Sequence, residues 1–110
     1  MNVSFEEIGR VAVTFAQNGC EAGQVCKVSE NGTVVPCAAG DKFCGIVEGV
    51  RGGFAGVQVA GFASVAVSGN LNVGYVNLCA DGTGGVKAGT GKEYLVVSVN
   101  ENAKTAVIKL

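Results

Sequence analysis

The residues of this chain with the most reactive side chains are its cysteines, which stand at Cys20, Cys26, Cys37, Cys44 and Cys79. An odd number cannot pair completely within one chain, and the sequence contains neither a CxxC spacing nor a histidine. The usual spacings of a zinc site are therefore missing, and we expect no metal or cofactor. Because Cys26, Cys37 and Cys44 lie in apolar strand patterns, we interpret them as reduced thiols that pack like small hydrophobic side chains. Intermolecular disulfides are the alternative interpretation.

Two aspartates could form the carboxylate pair of an acid–base enzyme. Asp41 and Asp81 each stand beside a glycine, however, where Asp commonly supports a turn. Without histidine, a Ser or Cys nucleophile would lack its commonest base. The segment 89–92, Gly-Thr-Gly-Lys, matches the end of the phosphate-binding loop motif. The motif also requires a Gly at position 86, where this chain has Val86, and a Ser or Thr at position 93, where it has Glu93. We interpret it as a hairpin connection, and we expect the protein not to be an enzyme.

The composition indicates a small all-β protein. A chain of 110 residues, 48% of them hydrophobic, is about one domain with a modest core. Its 18 glycines and single proline fit many turns. A net charge of −1 provides no basic face for nucleic acid. The first residues lack the features of a signal peptide, so we expect synthesis inside the cell.

The strand pattern is punctuated by turn residues. Asn31-Gly32 is the strongest hairpin signal, and Pro36 must lie at a strand end or an edge. From residue 54 to residue 68 the alternation keeps one phase, which is too long for an ordinary strand and predicts a bend at Ala60-Gly61. One face of this run would hold Ala55, Val57, Val59, Ala63, Val65 and Val67. The predicted strands cover residues 11–15, 24–29, 33–37, 43–50, 54–68, 74–79, 92–99 and 105–110.

A weak internal repeat runs through the chain. Residues 11–59 align with residues 62–110 at a constant offset of 51, which places Gly23 opposite Gly74 and Phe43 opposite Tyr94. One interpretation is two similar halves that pack or close together; the other is that any two glycine-punctuated β segments align this well. Both predict a small Gly/Val-rich β-barrel or β-sandwich, since a sheet must bury its apolar side.

The stretch from Gly52 to Ala80 contains 29 residues and no charge. It is too polar and too rich in glycine to span a bilayer as a helix. Surface strands normally carry charges, and exposed apolar patches mark interaction sites. The stretch is therefore either a partner-facing surface or a central strand pair buried inside the monomer.

Residues 1–10 differ from the single β domain predicted for residues 11–110. Ser4 and Glu7 match a capping box, which predicts a single helical turn. Val3 and Phe5 could instead belong to an extended arm that adds to the edge of a neighbouring sheet. A frayed terminus is the third interpretation.

Six short motifs follow one another along the chain: Gly-x-Val-x-x-Val, Asn-Gly-Thr-Val, Ala-Gly-Asp-x-Phe-x-Gly-Ile-Val, Val-Gln-Val-Ala-Gly, Gly-Tyr-Val and Ala-Val-Ile-Lys-Leu. Their order resembles that of small bacteriophage head decoration proteins over most of residues 11–110. This resemblance implies a structural virion protein that is made in the bacterial host cytoplasm and binds the major capsid protein on the outer capsid surface. It also implies a homotrimer. From the charge and composition described above, we expect the partners to include neither nucleic acid nor a membrane. Proteins of this family often attach through N-terminal arms, so the resemblance would give Val3, Phe5 and Ile8 a role in attachment. It would give the uncharged stretch a role in subunit contact.

Three other interpretations compete with this one. The chain could be another phage structural or tail-associated β module. It could be a lipoyl or biotinyl carrier domain, which is also a small β-structure with two similar halves, but its lysines lack the neighbouring Met that such a domain usually has. An enzyme that uses carboxylates alone would require Asp41 and Asp81 to meet in a cleft.

Overall fold

The structure, a computed structural model, describes residues 10–110. The predicted attachment residues Val3, Phe5 and Ile8 lie outside the described residues. In the described part the chain is all-β, as predicted, and no helix there is long and apolar enough to cross a membrane. The strands are β1 (Val11–Gln17), β2 (Val25–Glu30), β3 (Thr33–Pro36), β4 (Gly45–Arg51), β5 (Phe54–Ala60), β6 (Phe62–Ala66), β7 (Gly74–Ala80), β8 (Val86–Ala88), β9 (Lys92–Asn100) and β10 (Thr105–Lys109).

The first half of the chain, β1 to β5, forms a closed barrel. Its strands lie in the order β1-β3-β2-β4-β5, and β1 completes the ring by pairing antiparallel with β5 and parallel with β3. Closure leaves one side of each strand facing an interior, which must be apolar because no water reaches it. This barrel core consists of Cys20, Cys26, Val34, Val47, Ala55 and Val57.

The second half, β6 to β10, repeats this arrangement as a sheet in the order β6-β10-β9-β7-β8. At an offset of 51 residues, each neighbouring pair in this sheet is the counterpart of a neighbouring pair in the barrel. The closing contact also has a counterpart, because Val67 and Val86 form a single parallel bridge. The described structure therefore supports the two-halves interpretation of the weak repeat.

A second, larger core joins the halves and is called here the shared core. From the second half it contains Val65, Val67, Leu71, Leu78, Ala80, Val86, Tyr94, Val96, Ala106 and Ile108; from the first half it takes Val25, Phe43 and Ile46. The Phe43 and Tyr94 rings stack with centroids 4.8 Å apart and planes 7° from parallel. The Tyr94 hydroxyl donates to the Phe43 carbonyl oxygen at 3.1 Å, and burial raises the pKa of Tyr94 to about 12.

Most of the predicted turns are confirmed. Gly32 has a φ of 68° in the β2–β3 hairpin, and β3 ends at Pro36. The long run breaks at Gly61, whose φ is 90°, so it forms β5 and β6. The inward side chains of this run alternate as predicted, but they lie in two different cores. Val57 lies in the barrel core and Val65 in the shared core.

Two details of the prediction were wrong. Strand β8 was missed because three residues are too few to show alternation, although its offset from β3 was a signal. The connection 89–92 is not a hairpin, because β8 and β9 both pair with β7 and not with each other. Gly91 is needed there, since a Cβ at this position would collide with the Leu78 carbonyl oxygen.

Candidate interaction surfaces

Asp41 supports a turn, as predicted. Its Oδ2 accepts hydrogen bonds from the Lys27 ammonium at 2.6 Å and from the Ala38 amide at 2.9 Å. The Lys27 bond, with the help of the Ala38 amide, lowers the pKa of Asp41. A lysine on β2 and an amide of its own loop therefore favour the ionised form of this carboxylate.

Asp81 organises a different turn. Its carboxylate accepts from the Ser68 hydroxyl at 2.7 Å and from the amides of Thr83 at 2.7 Å and Gly85 at 3.1 Å. Partial burial opposes ionisation, but these hydrogen bonds outweigh it and lower the pKa of Asp81. The Ala80 amide donates to the Asp41 carbonyl, so the two backbones are neighbours. The two carboxylates nevertheless bind separate partners and do not form a pair with each other.

The cysteines differ in exposure. Cys20, Cys26 and Cys79 are buried and Cys37 is half-buried, which agrees with packing as small hydrophobic groups. Cys44 is exposed and directly precedes β4, so its assignment to an apolar strand was wrong. Across residues 10–110, no group of three or more His, Cys, Asp or Glu side chains is placed to hold a metal ion.

The uncharged stretch from Gly52 to Ala80 combines both interpretations offered for it. Its inward side chains fill the two cores, as expected of central strands. Its outward side chains include the three most exposed large hydrophobic residues of the described part. These are Phe54, Val73 and Tyr75, whose exposed fractions are 60%, 64% and 71%. Exposed aromatic groups of this size are candidate contacts for a partner.

The first outer face lies on the barrel, across β1, β5 and β4. It is a shallow groove of about 710 Å³ lined by Thr14, Glu48, Gly49, Val50, Arg51, Phe54, Ala55 and Gly56. Gly49 and Gly56 are cross-strand partners, and a Cβ built at either has no other heavy atom within 4 Å. The floor of the groove is therefore bare backbone, and side chains rise on either side of it.

The groove lies beside the point where the N-terminal segment joins the barrel. Arg10, the first described residue, forms an ion pair with Glu48 in the wall of the groove. The partly exposed pair is worth little as a stability term. It places Arg10 next to this face.

The second outer face lies on the other half. Tyr75 of β7 is opposite Leu95 of β9, Leu95 is opposite Lys109 of β10, and Lys109 is opposite Phe62 of β6. Directly opposed residues in antiparallel strands point to the same side of the sheet. Three apolar side chains and one lysine thus form a row across four strands. A depression of about 190 Å³ lies beside Tyr75, Leu95 and Lys109 of this row, and Lys92 and Glu93 also line it.

Sequence reasoning identified part of these surfaces. Phe54 and Tyr75 belong to the uncharged stretch, for which a partner-facing surface was one of the two interpretations. The glycine floor and the row across four strands were missed, because both depend on strand register, which no local motif encodes. No protein-family model matches this chain, and no curated protein does.

Proposed function

We propose that this chain is a structural virion protein that binds the outer surface of a phage capsid and stabilises the shell by bridging capsid subunits. The observation that supports the proposal best is that each half of the chain has an outer face with a strongly exposed aromatic side chain, Phe54 on the barrel and Tyr75 on the second half. A bridging protein needs two contact surfaces, and it needs no catalytic site or cofactor.

A bridge also has to transmit force between its two contacts. The halves are connected through the shared core and by backbone hydrogen bonds from Gly40 to Ala80, from Ala80 to Asp41 and from Val25 to Gly84, at 2.9, 2.9 and 3.0 Å. Since closely packed interiors resist deformation, the two outer faces keep a fixed separation. A load applied to one face therefore reaches the other without a flexible linker.

The partner in this proposal is the major capsid protein, and the assembly is a homotrimer on the virion surface, as the family resemblance implies. Val3, Phe5 and Ile8 would then attach to the shell from an arm that joins the barrel beside the first outer face. The proposal involves neither nucleic acid nor a membrane.

A carrier domain is the second candidate, and one feature favours it. Lys104 lies in the turn between β9 and β10 and has a φ of 54°, so it is a lysine at a hairpin connection. Its preceding neighbour is Ala103, where a carrier would usually have Met. Intact mass of the protein isolated from its source cell distinguishes the two, since a lipoyl or biotinyl addition would support the carrier.

The capsid proposal is tested by inducing prophage in the source bacterium and banding the particles on a density gradient. Mass spectrometry then measures the ratio of this chain to the major capsid protein. We expect a fixed, near-stoichiometric ratio. Recovery of the chain only in the soluble host fraction would contradict the proposal and favour an intracellular role.

Variants test whether the two faces make the contact. Phe54→Ser and Tyr75→Ser each remove an exposed ring, so folding is retained, and each should reduce occupancy on the particle about tenfold through lost avidity. The double variant, which lacks both rings, should not remain bound to the particle. Val28→Ser is the matched control, because Val28 is 51% exposed but lies on neither face. Equal loss in all three single variants would show that the faces are not the contact.

A further inference from the structure

Cys26 and Cys44 form a close pair of unlike thiols. Cys26 lies on β2, and Cys44 directly precedes β4, which pairs with β2 at this point. The Cys44 amide donates to the Cys26 carbonyl oxygen at 2.8 Å, so the two backbones are held side by side. The two sulfur atoms are 4.0 Å apart. Cys26 has no exposed surface, whereas Cys44 is exposed to solvent.

This geometry is close to that required for a disulfide. A bond of about 2.05 Å requires the sulfur atoms to approach by about 2 Å. Because the Cys44 side chain is exposed, rotation about its Cα–Cβ bond can supply this movement while the buried Cys26 stays in place. The backbone hydrogen bond keeps the two residues in register during the change.

We propose that Cys26 and Cys44 form a redox-active dithiol, in which Cys44 attacks a low-molecular-weight disulfide and Cys26 then resolves the product into an intramolecular disulfide. The inference is independent of the capsid proposal, since it concerns two thiols within one chain.

The reaction has two balanced steps. The Cys44 thiolate attacks one sulfur of the small disulfide, forms a mixed disulfide and releases the first small thiolate, which takes up a proton. The Cys26 thiol then loses its proton and attacks the Cys44 sulfur, which releases the second small thiol. The two cysteines are oxidised by two electrons, and one small disulfide is reduced to two thiols.

The local electrostatics assign the two roles. The contact with the Cys26 sulfur lowers the pKa of Cys44, and the same contact, together with burial, raises the pKa of Cys26. The exposed thiol is therefore the more readily ionised of the two, as an attacking group should be. Burial raises the pKa of the nearby Cys37 to about 11, which makes it a poor competitor.

The bond would close a loop whose ends are 18 residues apart and which contains β3. Closing a loop of this length restricts the unfolded chain. We therefore expect oxidation to raise the melting temperature by roughly 10 °C.

The test uses the reduced full-length protein and glutathione disulfide, followed by acid quenching and peptide mapping. We expect a Cys26–Cys44 disulfide and a mass about 2 Da lower than that of the reduced chain. In Cys26→Ser, glutathione should remain attached to Cys44. The matched control, Cys37→Ser, should form the Cys26–Cys44 bond at the wild-type rate.

A second variant covers the case in which Cys26→Ser fails to fold. Cys44→Ser changes an exposed residue, and it should react with glutathione disulfide at least tenfold more slowly and show no rise in melting temperature. Three results would overturn the proposal: a Cys37–Cys44 bond in the wild type, a stable glutathione adduct on wild-type Cys44, or an unchanged reaction rate in Cys44→Ser.

Discussion

The two halves of the chain have the same strand neighbours, but only the first encloses a core of its own. In the barrel, β1 and β3 pair over two positions and the interior is filled by that half alone. In the second half, the closing contact is a single bridge, and the inner face packs against Val25, Phe43 and Ile46 of the first half. One topology therefore supports two ways of burying apolar surface, internally in one half and against a neighbour in the other.

One pair of positions at the offset of 51 residues differs in its surroundings. Val34 lies in the barrel core on the closing strand, and its equivalent at the offset of 51 is Gly85. A Cβ at Gly85 would lie 2.6 Å from the Ala66 carbonyl oxygen, so this backbone approaches β6 too closely for a side chain. This close backbone contact lies directly before Val86, which forms the closing bridge and is buried in the shared core.

The largest expected loss of stability comes from a substitution in the shared core, which tests whether the two halves unfold together as one cooperative unit. Leu78→Ala removes a fully buried side chain from this core and should lower the free energy of unfolding by about 3–5 kcal/mol. Circular dichroism and tyrosine fluorescence during urea unfolding should report one transition. Val57→Ala, in the barrel core, is the matched variant and should also give a single transition. Two separated transitions in either variant would show that the halves unfold independently.

A smaller effect distinguishes two glycines at equivalent positions. Gly91→Ala should cost about 2 kcal/mol, because the new methyl group meets the Leu78 backbone. Gly40→Ala meets no atom within 4 Å but has a φ of 87°, so its cost should be about 1 kcal/mol. Urea unfolding measures both values. A larger loss at Gly40 than at Gly91 would contradict the prediction, because it would mean that the backbone conformation of Gly40 costs more than the contact at Gly91.

The smallest effect concerns the carboxylate that organises the turn before β8. Asp81→Asn weakens bonds to Ser68, Thr83 and Gly85 and should cost about 1 kcal/mol at pH 7, since solvent screens a partly exposed group. Because folding lowers the pKa of Asp81 below its ordinary value of 3.8, the unfolded chain binds more protons near that pH. The stabilisation is therefore present above about pH 4 and is lost as the pH falls further.

Unfolding free energies measured between pH 2 and pH 7 check this sign. The wild-type protein should lose stability more steeply than Asp81→Asn as the pH is lowered through the acid range. Asp41→Asn provides the comparison from the first half of the chain. There Lys27 binds the Asp41 carboxylate and the pKa of Asp41 is lowered too. Parallel pH curves for wild type and Asp81→Asn would show that the carboxylate makes no net contribution to stability.

Local chemistry made most of the fold predictable. Asn31-Gly32, Pro36 and Gly61 mark turns, strand ends and bends through their backbone preferences alone, and the structure places them accordingly. Strand order was not predictable, because β8 and β9 both pair with β7 and short strands of similar composition do not identify their partners. The exposure of Cys44 was missed because the alternation of apolar residues in the sequence continues past the point where strand pairing stops.

The candidate surfaces were predictable only as far as composition indicates them. The absence of charge in the stretch that holds Phe54 and Tyr75 is visible in the sequence. The groove over Gly49 and Gly56 depends on their being cross-strand partners, and a shift of one residue in the pairing of β4 and β5 would remove it.

The stacked rings of Phe43 and Tyr94 occupy equivalent positions and touch each other, as residues on the two-fold axis of an isologous dimer do. In a dimer of identical half-length chains, every substitution on that axis would occur twice and face itself. Covalent fusion removes this constraint. One copy can carry a phenol whose hydroxyl meets a carbonyl oxygen, while the other keeps a plain ring with no second hydroxyl to accommodate.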